Sequence, residues 1–288
     1  MKLSLILFFS LLIINNSLLG ANEPRVLTEW VPFVKPNNHI LVDVNIKGQK
    51  VKAIIDTGAN ISAISKSVAN QLSVKPGKGH VWVGGMVGDK KMRISRNTAV
   101  ELPGLFSRDV NFVMFDNIEN IGLILGMDFM FFDVLQFDYV NNRLRFATSN
   151  VFSFNPESAI PMEISANRYF VQASIENIEL KMLLDTGNPG KIYIPHGDIE
   201  GTSLFNELNN MEKITNDKGG LHEREFSYYK AKTNNFSLGP YVLENVTYGI
   251  ASEETPLSND YSILGYDILK NFIVTMDIKN SNLYLSLP

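Results

Sequence analysis

The sequence contains no cysteine among its 288 residues, which excludes disulfides, thiolate metal sites and a cysteine nucleophile. Histidine occurs only four times and never in an H-E-x-x-H pattern, so a zinc hydrolase has little support. A P-loop pattern is also missing. The net charge is −4, whereas a nucleic-acid-binding protein is expected to carry a basic excess. Hydrophobic residues make up 45% of the chain, and its length is enough for about two folded domains.

The first 21 residues have the order of a secretory signal peptide. Lys2 precedes the apolar run of residues 3–14, polar residues follow, and the small residues Gly20 and Ala21 close the segment. The run is shorter than the roughly 20 apolar residues of a membrane span, although an uncleaved anchor or a buried helix is the alternative. We therefore expect residues 1–21 to be removed on export, leaving a periplasmic or secreted protein without a stable membrane span.

The rest of the chain carries one pattern twice. Residues 39–58 align with residues 168–187 without a gap, and both copies end in Asp-Thr-Gly. Further along, residues 124–146 align with residues 263–285, and both begin with an apolar-apolar-glycine element. Two blocks in the same order indicate a duplicated unit, and a repeat this long predicts a pair of lobes rather than a solenoid.

Short segments of alternating apolar and polar residues predict that both copies are mostly strand. In residues 40–46, for example, Ile40, Val42, Val44 and Ile46 occupy every second position. These four residues would therefore share one face of a strand. The predicted fold class is therefore all-β and bilobal, with two pseudo-symmetric β-barrel-like lobes and few short helices.

The predicted lobes meet near a polar, proline-containing connection. We place the first lobe at residues 22–150 and the second at residues 151–288, which makes the protein a monomer with an internal pseudo-dimer. Residues 22–38 are either a removable pro-segment or an interface strand.

Only a few short helices are expected. One is predicted after each of Gly126 and Gly265, where Asp128 and Asp267 occupy N-cap positions. Another helical turn is expected at residues 65–72 of the first lobe.

Asp56 and Asp185 are the candidate catalytic residues. Each follows an apolar strand, where desolvation of a carboxylate costs free energy unless something compensates. If the lobes pack about a pseudo-twofold axis, the two side chains meet at the axis and share one proton. One carboxylate can then deprotonate a water molecule while the other protonates a substrate carbonyl oxygen.

These motifs resemble those of the two-lobed retropepsin-like aspartic peptidases. The resemblance rests on IIDTGA at residues 54–59, LLDTGN at residues 183–188, and the ILG elements that end at Gly126 and Gly265. The resemblance implies that Asp56 and Asp185 are the catalytic pair and that the loop residues Thr57, Gly58, Thr186 and Gly187 support this pair. It also implies that Gly84 and Gly85 belong to a flap, and that Gly126 and Gly265 are glycines of the supporting strands.

The resemblance implies an aspartic endopeptidase that cleaves an extended peptide or an unfolded protein, with no metal and no other cofactor. The substrate is expected to pair with the flap as an added strand. One departure is Asn188, which stands where the family usually has serine, threonine or alanine.

The less specific interpretations stay open at this point. A single Asp-Thr-Gly can be an ordinary turn that ends a strand, and Gly84-Gly85 can be a simple hairpin turn. Because of Asn188, the alternative function is a non-catalytic peptide-binding protein on the same bilobal fold. Asp138 and Asp277 are repeated as well, and the turn sequences after them indicate structural roles.

Overall fold

The structure, a computed structural model, describes residues 29–84, 88–116, 118, 121–219, 224–255 and 261–288. The predicted signal peptide therefore lies outside the described residues, and so does Gly85 of the predicted flap. No helix among the described residues is both long and apolar enough to cross a bilayer.

The chain forms a mostly β, bilobal fold whose sheets curl into half-barrels, as the alternating pattern predicts. The strands of the first half, β1–β12 in chain order, are Val31–Pro32, Leu41–Ile46, Gln49–Ile55, Ala63–Ser65, Pro76–Gly84, Asp89–Ser95, Thr98–Leu102, Phe106–Val110, Val113–Phe115, Leu123–Leu125, Val134–Asp138 and Arg143–Ala147. Those of the second half, β13–β24, are Ile160–Ser165, Arg168–Ile175, Ile178–Leu184, Ile192–Ile194, Glu212–Gly219, Arg224–Thr233, Phe236–Leu238, Tyr241–Leu243, Val246–Ala251, Ser262–Leu264, Ile273–Asp277 and Asn282–Ser286.

Helices are short throughout the described residues. The α-helices are α1 Lys66–Gln71, α2 Ser203–Glu207 and α3 Tyr266–Leu269, and the 3₁₀ segments are Pro36–Asn38, Ser149–Val151, Pro156–Ser158, His196–Ile199 and Leu208–Asn210. The predicted helical turn in the first lobe is α1, and it begins as expected at a serine cap, because the Ser65 hydroxyl accepts a hydrogen bond from the Val68 amide.

The two predicted caps after the ILG glycines are wrong. In the first lobe, residues 127–129 form a turn instead of a helix, and Asp128 accepts hydrogen bonds from the Ser62 amide and hydroxyl. In the second lobe α3 does form, but Asp267 lies inside its first turn and pairs with Lys270. Neither therefore acts as a cap, because no helix follows Asp128 and Gly265 already occupies the N-cap position of α3.

Asp138 and Asp277 have the structural role that the sequence predicts. Asp138 accepts hydrogen bonds from the Asn141 amide and side chain and pairs with Arg143, and these contacts lower its pKa although burial opposes them. Asp277 is bonded to Asn280 in the same way. Both therefore fix the tight turns that follow their strands.

Apolar alternation builds the core of each lobe. The four residues predicted for the inward face of the first hairpin, Ile40, Val42, Val44 and Ile46, are all fully buried. Beyond them, one sheet runs in the order β5-β6-β9-β4-β10-β3-β2-β7-β8 and forms the first lobe. The other sheet contains the strands of the second lobe and continues into the sheet that joins the two lobes.

The joining sheet has the order β1-β12-β11-β23-β24-β13, with three strands from each half of the chain. At its centre β11 and β23 run antiparallel, and Gln136 pairs with Thr275, its own counterpart in the repeat. The Gln136 side-chain amide donates to the Thr275 hydroxyl at 2.7 Å. Pairing of equivalent residues is the arrangement expected at a pseudo-twofold axis.

Residues 31–39 belong to this framework. β1 pairs with β12, and Val34 bridges to Leu41. Asn38 donates from its side chain to the Pro189 carbonyl at 3.0 Å, which ties this segment to the second lobe. The described part of residues 22–38 is thus an interface segment. The lobe boundary between residues 150 and 151 stays a prediction.

Candidate active site

The two Asp-Thr-Gly loops hold equivalent positions in the two lobes. Strand β3 ends at Ile55 and β15 ends at Leu184, and each lies parallel to the ILG strand of its own lobe, β10 or β22. The Asp56 amide donates to the Leu125 carbonyl at 3.0 Å, and the Asp185 amide donates to the Leu264 carbonyl at 3.1 Å. Each aspartate is therefore fixed at the end of a strand in the middle of a sheet.

The threonines of the two loops bond across the lobe interface. The Thr57 amide donates to the Thr186 hydroxyl at 3.0 Å, and the Thr186 amide donates to the Thr57 hydroxyl at 3.1 Å. Each hydroxyl in turn donates to a carbonyl of the opposite lobe, Leu184 at 2.7 Å for Thr57 and Ile55 at 2.8 Å for Thr186. Both threonines are buried, so these bonds lock the relative position of the loops.

This arrangement places the carboxyl groups of Asp56 and Asp185 against each other, within hydrogen-bonding contact. The amide of Ala59 donates to Asp56 Oδ1 at 3.0 Å, and that of Asn188 donates to Asp185 Oδ1 at 3.0 Å. Both aspartates are half-buried as whole residues. Two carboxyl groups this close cannot both ionise at low cost, so ionisation of one opposes ionisation of the other.

Burial raises the pKa of both carboxyl groups. For Asp56, backbone amide bonds from Ala59 and Gly58 and the bond to Asp185 oppose this rise, because they stabilise the charged form. For Asp185 the negative charge of Asp56 adds to the burial, so the pKa of Asp185 lies well above its ordinary value of 3.8. The two carboxyl groups therefore titrate as a coupled pair, in which burial favours retention of a proton.

Gly58 and Gly187 make the approach of the carboxyl groups possible. A Cβ atom on Gly187 would lie 2.5 Å from Oδ2 and 2.6 Å from Oδ1 of Asp56, and one on Gly58 would lie 2.7 Å from Oδ1 of Asp185. The contact is reciprocal, because each glycine faces the aspartate of the other lobe. Only a residue without a Cβ leaves room for the pair.

The supporting glycines, Gly126 and Gly265, lie against the loops from below. A Cβ on Gly126 would lie 2.7 Å from the Ala59 carbonyl oxygen. A Cβ on Gly265 would lie 2.8 Å from the Gly190 carbonyl oxygen. In the first lobe the Gly126 amide also donates to the Ser62 hydroxyl at 3.0 Å. Both glycines therefore allow close packing of the supporting strand against the loop of its own lobe.

Asn188 does not enter the space between the aspartates. Its side-chain amide donates to the Lys191 carbonyl at 3.0 Å, and its Oδ1 accepts from the Gly190 amide at 3.1 Å. The side chain therefore closes its own loop, and only its backbone amide bonds Asp185.

Gly84 lies at the end of β5, where it pairs with Asp89 of β6 in the hairpin of the predicted flap. Val81 and Val83 of this hairpin pack against the apolar cluster of the first lobe. Trp82 lies on the opposite face and is 72% exposed. Strand alternation thus directs the tryptophan away from the valine face.

His39 is a neighbour of the site that the sequence did not single out. It bonds to the backbone of Gly187 in the second loop, while burial lowers its pKa. The only sequence signal was its place at the start of the repeated block. Among the described residues, no group of three or more His, Asp or Glu side chains is placed to bind a metal ion.

The fold and the paired loops define the class of the protein as a two-lobed acid protease fold. Residues 42–131 match the family model described as gag-polyprotein putative aspartyl protease. This match supports a retropepsin-like aspartic peptidase family for the chain, and with it aspartic protease activity in general. A search of curated proteins found no match. The matched residues include Asp56 and Gly126 but not the second lobe, whose likeness to the first rests on the repeat.

Proposed function

We propose that the protein is an aspartic endopeptidase, in which Asp56 and Asp185 activate a water molecule for attack on a peptide bond. The observation that carries this proposal is the reciprocal packing of the loops, in which the glycine of each lobe faces the aspartate of the other. A simple turn at the end of a strand would not require that packing.

The two aspartates have different roles in the proposed reaction. Ionised Asp56 takes a proton from water while the water oxygen attacks the carbonyl carbon, and protonated Asp185 gives its proton to the carbonyl oxygen. The tetrahedral intermediate then breaks at its C–N bond: Asp56 gives its proton to the leaving nitrogen, and a hydroxyl proton of the intermediate returns to Asp185, which leaves a carboxylic acid and an amine and restores the starting pair. An extended peptide or an unfolded protein is the proposed substrate, bound beneath the β5–β6 hairpin.

The position of Asn188 supports catalysis over the alternative of a non-catalytic binding protein. An asparagine that separated the carboxyl groups or occupied the water position would favour binding alone. Its amide group instead bonds to Lys191 and Gly190.

A transition-state analogue provides the test of this function. We expect the purified protein to cleave peptides of a random library, and we expect a statine-type inhibitor to block cleavage because its hydroxyl group takes the place of the attacking water. Reagents that modify catalytic serine, and metal chelators, should leave the rate unchanged. Cleavage that resists the statine compound, or that stops with a serine reagent, would contradict the proposal.

The rate of cleavage is expected to fall, on the acid side, at a higher pH than it would for two carboxyl groups with ordinary pKa values. Because burial raises the pKa of Asp56 above 3.8, the rate should fall on the acid side already above that pH as Asp56 becomes protonated. The high pKa of Asp185 extends the active range toward neutral pH. Measurement of kcat/KM against pH with an uncharged peptide checks this, and full activity at pH 3.8 would contradict it.

We also propose, on the sequence pattern of residues 1–21 alone, that the protein is exported and acts in the periplasm or outside the cell.

A further inference from the structure

The strands that follow the two Asp-Thr-Gly loops, which would form the two walls of the proposed substrate site, can be compared residue by residue through strand register. Ile124 and Ile263 are equivalent in the repeat, and their antiparallel partners are Ala63 and Tyr193. Tyr193 therefore takes the place of Ala63. Gly58 and Gly187 differ by 129 positions, whereas Ala63 and Tyr193 differ by 130, so the second loop contains one extra residue. Two positions before these strand residues, Lys191 takes the place of Ile61.

The first-lobe wall contains an apolar cluster. Ile61 packs with Ala59, Ala63, Met92 and Val113 in one cluster, which Val81 and Val83 of the β5–β6 hairpin complete. Since Ala59 bonds Asp56 through its amide, this cluster lies directly beside the candidate dyad. It can accept an aliphatic substrate side chain by the hydrophobic effect.

The second-lobe wall is aromatic. Tyr193 meets Phe226 and Tyr228 in edge-to-face contacts, with ring centroids 5.8 and 5.6 Å apart. The same register makes Tyr228 the counterpart of Met92 and Gly249 the counterpart of Val113. A Cβ on Gly249 would lie 2.9 Å from the Tyr228 ring and 3.3 Å from the Tyr193 ring. The small residue therefore makes room for the larger rings.

Lys191 adds a positive charge to this wall. Its Nζ donates to the Tyr228 hydroxyl at 2.9 Å and lies 4.3 Å from the centroid of the Tyr228 ring. The side chain is partly buried, and no carboxylate in the described part of the chain forms an ion pair with it. An ammonium group has three donors, so two of them can serve a ligand.

The loop holds the lysine close to the dyad. Lys191 follows Asp185 by six positions, and its carbonyl accepts the side-chain amide of Asn188, whose backbone amide bonds Asp185. Asn188 thus links the extra residue, the lysine and the aspartate in one rigid turn.

We propose that Lys191 makes the second-lobe wall selective for an acidic substrate side chain, glutamate or aspartate, close to the scissile bond. This inference rests on the proposed function. A carboxylate bonded to a partly desolvated ammonium gains a charge-assisted hydrogen bond, which the uncharged amide of glutamine or asparagine does not supply at equal strength. The first-lobe wall remains aliphatic, so the two walls differ in the kind of substrate side chain that they favour.

Matched peptides that contain glutamate or glutamine test this selectivity. At about pH 6, where glutamate is ionised, we expect kcat/KM to favour glutamate over glutamine by about tenfold or more at one position near the cleaved bond. Lys191→Met should remove this preference, and Lys191→Glu should transfer it to lysine. The control is Lys213→Met, which removes a lysine of β17 that pairs with Glu254. This variant should keep the preference for glutamate over glutamine.

Binding of the same peptides to the Asp185→Asn variant gives a second measurement without turnover. Equal affinity for the glutamate and glutamine peptides, or a preference that persists in Lys191→Met, overturns the inference even where cleavage is observed. A glutamate preference in binding that Lys191→Met abolishes supports it, and would do so even if the native protein cleaved nothing and the proposed function alone failed.

Discussion

Replacement of either Asp56 or Asp185 by asparagine is expected to abolish peptide cleavage. In the proposed mechanism, Asp56→Asn removes the base that accepts the proton of water, and Asp185→Asn removes the acid that protonates the carbonyl oxygen. Loss of a positioned acid or base lowers the rate by about a hundredfold to ten-thousandfold. The measurement is kcat/KM on an unfolded protein substrate, and full activity in either variant would refute the catalytic assignment.

The same substitutions are expected to stabilise the fold at neutral pH. Because the pKa of Asp185 is raised in the folded state, the folded protein binds more protons than the unfolded chain between pH 3.8 and that raised pKa. The free energy of unfolding therefore falls as pH rises through this window. Asparagine has no charge to bury, so Asp185→Asn should raise the free energy of unfolding at pH 7 by about 0.5–2 kcal/mol.

Urea denaturation at two pH values separates this gain in the free energy of unfolding, which depends on pH, from a gain that is the same at every pH. The gain from Asp185→Asn should be present at pH 7 and absent below pH 3.8, where the native carboxyl group is protonated in both states. As a control, Asp43→Asn changes an exposed aspartate whose pKa Lys52 and Lys50 lower. That variant should remain active and gain no stability at pH 7.

Substitution of Gly187 by alanine is the second change with a large expected effect. The new Cβ would lie 2.5 Å from Oδ2 of Asp56, which is inside van der Waals contact, so either the carboxyl group turns away or the loops separate. Both outcomes end the contact between the two carboxyl groups. We expect kcat/KM to fall by about a hundredfold or more and the free energy of unfolding to fall by about 1–3 kcal/mol from overpacking. Gly58→Ala should behave in the same way.

Gly197→Ala is the matched control, because nothing lies within 4 Å of its added Cβ. It should leave both activity and stability unchanged. The contrast with the asparagine variants is diagnostic: those variants lose activity and become more stable, whereas the alanine variants lose activity and become less stable. A Gly187→Ala protein with native kcat/KM would show that the loops do not need their close contact.

Much of the fold followed from the repeat itself. Two aligned blocks and alternating apolar residues predicted an all-β, bilobal chain, and burial of Val42, Val44 and Ile46 confirmed the inward face. The prediction of the two helix caps was wrong for a physical reason. Sequence shows that an aspartate stands in front of a helix-like segment, but not that the hydroxyl of Ser62, distant in the chain, competes for Asp128.

The candidate site was predicted less completely. The Asp-Thr-Gly motif identified the aspartates, but the different character of the two walls required strand register. The gap-free alignment of the first block ends at Gly187, and the extra residue before Tyr193 lies just beyond it. The greater length of the second copy was the available signal for Lys191, but only the pairing of Tyr193 with Ile263 places the insertion.

The pair at the centre of the joining sheet limits how the two halves can be combined. Gln136 donates to Thr275 at the centre of the joining sheet, so the two halves carry different residues at this equivalent position, and these residues bond to each other. Two copies of the first half would bring two glutamines together at that position, and two copies of the second would bring two threonines. Separately produced halves are therefore expected to associate with each other in preference to a second copy of themselves.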